Sequence, residues 1–168
     1  MRIVATLLLL SAVVASGDPR ADQEDDIREA AFRFQFTQRH ANAYYLCGTG
    51  KNRELPASFM KRFAGHSPPV RVCSAAHYDR EKGLVDNKSR KPAVSLQVMV
   101  IKWISDTEVE VWGLYTKGKW AGSSDCRVKK HNGKWTATAL SFGVASLRIY
   151  PTRSAVDGSI RAARRAGM

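Results

Sequence analysis

The chain has 168 residues, a length that favours one domain, and its 27 lysines and arginines against 15 acidic residues give a formal net charge of +12. This charge favours anionic partners without indicating a fold. The glycine patterns of nucleotide sites, the GxSxG nucleophile motif and the HExxH or paired CxxC spacings of zinc sites are absent from the sequence. We therefore expect no catalytic residue, cofactor or metal site.

Residues 1–17 have the pattern of a secretory signal peptide. The positive Arg2 precedes an apolar run over residues 3–15, and the small residues Ala15 and Gly17 lie three and one before a cut. The run is shorter than the roughly 20 apolar residues that a membrane span needs. We expect cleavage near Gly17, a secreted or periplasmic mature chain of formal charge +11, and no transmembrane segment.

A flexible start at residues 18–24 is expected to lead into a helix over residues 25–38. Acidic residues in the first turn complement the helix dipole. The apolar stripe at helical spacing comprises Ile27, Ala30, Ala31 and Phe34, and is widened by Phe32 and Phe36. Arg33 and Gln35 would face away from it, so the pattern predicts a helix that lies on a sheet with one face.

The middle of the chain predicts short elements separated by loops. Strands are expected at residues 43–47 and 70–73, with a short helix near residues 56–63 that ends before two prolines. Residues 78–92 are polar and rich in turn formers, which predicts an exposed connection.

Three cysteines follow the predicted cut, and in an oxidising compartment an odd number leaves at least one without a partner in the chain. Cys47 and Cys73 flank one irregular segment, and we expect a disulfide between them. Cys126 falls inside a predicted strand and is expected to be a buried free thiol.

The strongest strand pattern covers residues 94–142. Strands are expected at residues 94–103, 108–115, 120–129 and 135–142. In the first of them, Val94, Leu96, Val98 and Val100 are expected to share one face. The sequence predicts an α+β domain over residues 25–146, with the N-terminal helix packed on a curved antiparallel sheet of about four long strands. A basic, disordered tail is expected at residues 147–168.

Two segments resemble an uncharacterised family of small secreted bacterial proteins: residues 59–70 (FMKRFAGHSPPV) and residues 101–111 (IKWISDTEVEV). The resemblance covers about residues 25–142 and implies no activity. Cys126 and the basic tail depart from the family's pattern. A helix on a curved sheet is also the arrangement of the cystatin-like and nuclear-transport-factor-2-like folds, and the predicted terminal hairpin resembles the end of the latter.

The expected function is that of a non-enzymatic domain that binds a small ligand or a protein partner on the concave face of helix and sheet. The candidate binding residues are His66, Trp103, Trp112, Tyr115 and Trp120. The interleaved lysines and aromatic rings also suit an anionic surface or a glycan, and secretion argues against nucleic acid. The alternative is a purely structural role, in which the tryptophans pack in the core and the His66 ring bonds to nearby backbone.

Two other function classes stay open. The first is an enzyme of the nuclear-transport-factor-2-like type with its site in the cone between helix and sheet. An inward-facing His40, His77 or Asp79 in a closed pocket would favour it. The second is an inhibitor of a secreted hydrolase that presents residues 64–70 as a wedge.

Overall fold

The structure is a computed structural model that describes residues 20–49 and 53–146. The predicted signal peptide and its cleavage near Gly17, the first part of the predicted flexible start and the predicted basic tail lie outside the described residues. In the described part, helix α1 (Ala21–Gln38) begins four residues earlier than expected. A short helix α2 (Ala57–Met60) continues into a 3-10 turn, Lys61–Phe63. No described helix is both long and apolar enough to cross a membrane.

The strands in chain order are β1 (Tyr44–Cys47), β2 (Val70–Val72), β3 (Ala76–Asp79), β4 (Gly83–Asp86), β5 (Val94–Ser105), β6 (Glu108–Lys117), β7 (Trp120–His131) and β8 (Lys134–Ser146). Six of them form one sheet in the order β2-β1-β5-β6-β7-β8, and β3 pairs with β4 in a separate hairpin.

The predicted α+β class and the curved sheet are confirmed, but the sheet has more than four strands and is not wholly antiparallel. Strands β5 to β8 are the four long antiparallel strands that the alternation predicted. β1 and β2 extend the sheet beside β5 by parallel pairing. Parallel pairing joins segments that are distant in the chain, so no turn sequence indicates it.

Helix α1 lies across the sheet and buries the predicted apolar stripe. Ile27, Ala31 and Phe32 are almost completely buried and belong to one core with the inward-facing side chains of β5, β6 and β7. The prediction that Gln35 faces away is wrong, because its side chain is only 2% exposed. Gln35 follows Ile27 and Ala31 at intervals of four residues, and this spacing places it on the buried side despite its polarity.

A β-bulge changes the alternation of β5. Val98 and Val100 pair with consecutive residues of β6, which leaves Met99 as the extra residue. Beyond the bulge, Ile101 and Trp103 pack against the core. The alternation predicted for this strand is therefore interrupted at the bulge, because a period of two assumes that every residue has its own partner.

The prediction of an exposed connection over residues 78–92 is wrong for β4. Val85 is 1% exposed, and the backbone N–H of Leu84 donates to the carbonyl of Gly118 at 2.9 Å. Gly83 has φ +76°, and a Cβ at this position would lie 2.1 Å from the carbonyl carbon of Gly118. The hairpin of β3 and β4 thus packs closely on the turn between β6 and β7.

Candidate ligand-binding groove

An open groove of about 420 Å³ lies between the C-terminal end of α1 and the loop that leads into β2. We call it the His66 groove. Its floor and rim are formed by Arg33, Phe36, Thr37, His40, Tyr44 and His66. The groove lies where α1 ends and β1 begins, and the loop that carries His66 packs there against Phe36 and Tyr44.

Three aromatic rings form the floor of the His66 groove. The rings of Phe36 and Tyr44 stack with 4.4 Å between centroids and 27° between planes, and the His66 ring lies 4.7 Å from that of Phe36. The Tyr44 hydroxyl donates to the carbonyl of Arg39 and lies 3.1 Å from that of Phe36. Burial raises the pKa of Tyr44, so this hydroxyl stays neutral at physiological pH. The floor is therefore apolar and held in place.

The ring of His66 is oriented by its own loop. Nδ1 lies 2.7 Å from the carbonyl oxygen of Pro68, and because a carbonyl only accepts, Nδ1 carries the proton. The backbone N–H of His66 donates to the carbonyl of Phe63 at 3.1 Å. The expected bond from the ring to nearby backbone is thus present. Nε2 is the ring nitrogen that stays available as an acceptor.

The rim of the groove carries the guanidinium of Arg33 and the imidazole of His40. Arg33 is exposed, with its guanidinium 2.7 Å from Glu29 and 2.9 Å from the carbonyl of Arg62. His40 is also exposed, and the ammonium of Lys117 lies 3.4 Å from its carbonyl. The guanidinium of Arg33 also lies 5.3 Å from the ring centroid of Phe63, so these contacts hold it at the rim.

The other predicted binding residues do not converge on the groove. Trp103 packs edge-on against Trp135 at 5.8 Å, beneath the N-terminal end of α1. Trp112 lies in β6 between the inward-facing Val111 and Gly113, so it is on the opposite face of the sheet. The ring of Tyr115 packs under the guanidinium of Arg39, which lies 3.8 Å from the ring centroid.

Trp120 is the most exposed of the five candidates. It begins β7 beside the turn from β6, and 57% of its surface is accessible. The five candidates therefore lie in different places: His66 in the groove, Trp103 in the core, Trp112 and Tyr115 on opposite faces of the sheet, and Trp120 at a turn. The sequence pattern does not identify four of the groove residues, because only the fold brings them to His66. They are Arg33, Phe36, Thr37 and Tyr44.

A buried charge network ties the β3–β4 hairpin to the edge of the sheet. The Tyr45 hydroxyl donates to the Asp86 carboxylate, and Arg71 lies 2.6 Å from the same oxygen. Bonds from the backbone N–H of Ser89 and from Tyr45 hold the pKa of Asp86 far below its usual range. Burial, followed by the Asp86 carboxylate, raises the pKa of Tyr45 to about 12. The polar composition of residues 78–92 does not indicate this network, because Asp86 is buried only by its contacts with distant parts of the chain.

The cysteines confirm the predicted pairing. Cys47 and Cys73 form a disulfide with their Cα atoms 4.8 Å apart. Cys126 is free and buried, and burial raises the pKa of its thiol to about 12, so the reactive thiolate is not formed near neutral pH.

His77 and Asp79 have local partners. The imidazole of His77 lies between Asn87 and Arg90, and the carboxylate of Asp79 accepts from two backbone N–H groups of the β3–β4 turn. Within residues 20–49 and 53–146, no group of three or more His, Cys, Asp and Glu side chains is arranged to hold a metal ion.

Comparison of the chain with protein-family models, with curated proteins and with solved structures finds no match. The family resemblance of residues 59–70 and 101–111 stays a prediction, and the functional argument rests on the groove itself.

Proposed function

We propose that the protein is a secreted or periplasmic, non-enzymatic domain that binds a small anionic ligand with an apolar body in the His66 groove. The observation that carries this proposal is the stacked floor of Phe36, Tyr44 and His66 beneath a rim that bears Arg33 and His40. An aromatic floor with a few polar groups is typical of small-molecule sites, and about 420 Å³ lies within their usual range.

Charge and covalent structure support the same proposal. The formal net charge of +12 attracts anions toward the surface, and the rim adds donors at the groove. The disulfide between Cys47 and Cys73 is typical of proteins in oxidising compartments, in agreement with the signal-peptide pattern of residues 1–17. The ligand class we infer is therefore an organic carboxylate or phosphate ester of modest size.

The path of the loop favours a groove wall over the wedge of a hydrolase inhibitor. The His66 ring packs on Phe36 and bonds to Pro68, so the loop lies against α1 instead of projecting from the surface. The buried polar side chains between α1 and the sheet include Gln35 and Ser124, neither of which titrates near neutral pH. They offer no acid or base for the alternative of an enzyme in the cone.

The experiment compares charged and neutral probes of one shape. Benzoate and phenyl phosphate are titrated into the protein while backbone amide shifts are followed by NMR, with benzamide as the neutral control. We expect the two anions to shift the amides of Thr37, His66 and Ser67, with dissociation constants of about 1 mM. Equal binding of benzamide would contradict the anionic preference.

A pair of variants tests the location. Thr37→Trp fills the groove from an exposed helix position, whereas Gln38→Trp adds the same ring one residue further along, outside the residues that line it. We expect Thr37→Trp to abolish binding of benzoate and Gln38→Trp to retain it. Similar affinities in both variants would place the site elsewhere and refute the proposal.

A further inference from the structure

The outermost strand on one side of the sheet, β2, has an open edge. The N–H of Tyr44 donates to the carbonyl of Pro69, and in the parallel register with β1 the backbone groups of Arg71 also face β1. The N–H and C=O groups of Val70 and the N–H of Val72 must then point outward, whereas the carbonyl of Val72 begins the 3-10 turn Cys73–Ala75. No strand in the described part of the chain pairs with this side of β2.

A cavity of about 540 Å³ lies along this edge. Val70, Arg71 and Val72 all line it. Because successive residues of a strand point to opposite faces, a cavity lined by three in a row lies at the edge of the strand. The rest of the lining includes Met60 of α2, Asp86 at the end of β4 and Lys88, which follows it.

The edge has two of the features that keep sheet edges from pairing, because β2 is only three residues long and carries the charged Arg71, but other such features are missing. Proline, lysine and a bulge are all absent from β2, and Val72 is 39% exposed. Its one charged side chain, Arg71, is held by Asp86 at 2.6 Å. The open backbone and the cavity beside it are therefore accessible together.

We propose that an extended segment of a partner protein, in which apolar and acidic residues alternate, adds to the sheet as a strand along β2. Main-chain hydrogen bonds to Val70 and Val72 hold such a segment, and side chains of alternating direction reach the two walls. The wall with Met60 and Val72 takes the apolar side chains. On the other wall Lys88 is the cation that takes the acidic side chains, because the guanidinium of Arg71 is paired with Asp86, which lines the same cavity.

Charge decides between this partner and a second copy of the chain. Each copy carries a formal net charge of +12, and pairing β2 with itself would bring two Arg71 side chains together. Like charges across an interface disfavour association, whereas an acidic segment complements both the local and the total charge.

The test is a phage-displayed library of random linear dodecapeptides panned against the full chain. We expect enriched peptides that alternate apolar and acidic residues, and one of them is then synthesised for titration. Failure to enrich an alternating pattern would overturn the proposal.

Two substitutions at one position separate the backbone bond from the side-chain contact. Val72 has φ −69°, which proline also adopts, and its N–H points away from β1, so Val72→Pro removes an outward donor without breaking the sheet. We expect the selected peptide to bind Val72→Pro about tenfold more weakly, the factor that one unmade hydrogen bond corresponds to. We expect Val72→Ala to weaken binding of the selected peptide less than Val72→Pro does. Unchanged binding to a folded Val72→Pro would refute strand addition.

A scan of the peptide tests strand addition on the unaltered protein. It replaces the variant if circular dichroism shows that Val72→Pro does not fold. Peptides are N-methylated at one residue at a time, and each is titrated into the full chain. Loss of binding confined to one position, or to two positions that lie two residues apart, supports pairing along β2, because only Val70 and Val72 direct backbone groups outward. Tolerance of methylation at all positions overturns it.

Discussion

Removal of the disulfide between Cys47 and Cys73 should lower the free energy of unfolding by about 3.5 kcal/mol. The bond links residues separated by 26 positions, and the chain-entropy relation assigns about 3.5 kcal/mol at 25 °C to a loop of this length. With an unfolding entropy of about 0.26 kcal/mol/K for a domain of this size, the midpoint of thermal unfolding should fall by about 13 °C.

The assay is urea unfolding of the oxidised protein, the reduced protein and the double variant Cys47→Ala/Cys73→Ala. Reductant should bring the natural protein close to the variant and leave the variant unchanged. Cys126→Ala is the matched control, because it removes a buried thiol and keeps the disulfide. A double variant within about 1 kcal/mol of the oxidised protein would refute the loop-closure reasoning.

Four further substitutions test the faces of the sheet and the charge network. Val98→Asp buries a carboxylate in the core and should abolish cooperative thermal unfolding. Glu110→Ala removes only partly exposed ion pairs and should lower the free energy of unfolding by less than about 0.5 kcal/mol. Equal effects of the two substitutions would show that the faces of the sheet are misassigned. Gly113→Ala places a methyl carbon 2.8 Å from the carbonyl oxygen of Gln97 and should cost about 1–3 kcal/mol in urea titration, so an unchanged midpoint would contradict the close approach. The depressed pKa of Asp86 contributes stability that is present above its ordinary value near 3.8 and is lost as pH falls through the folded value. Asp86→Asn should therefore destabilise the protein at pH 7 and flatten the loss of stability below pH 4, and parallel pH profiles would refute this.

Much of the fold follows from local patterns in the chain. The 3.6-residue spacing of apolar side chains predicts α1, and the period of two predicts the four long strands, because each pattern expresses one face buried against a neighbour. The disulfide was also predictable, since Cys47 and Cys73 flank one loop and the third cysteine lies within a strand.

Other features depend on partners far away in the chain. The bulge at Met99 and the burial of Gln35 depend on which residue of another element lies opposite, and neither appears in a single periodic segment. The same holds for β4. The sequence on either side of β4 is polar, and the strand is buried only because Gly83 packs closely against the turn at Gly118.

The candidate site shows the same division. The sequence alone singled out His66, as a histidine between glycine and prolines in a loop closed by a disulfide. Only the tertiary structure decided that this loop lies over Phe36 and Tyr44 and that the tryptophans lie elsewhere. The same is true of the open edge of β2. The physical reason is that grooves and strand edges are formed by elements that meet in space, whereas a sequence pattern reports only which residues are neighbours along one element.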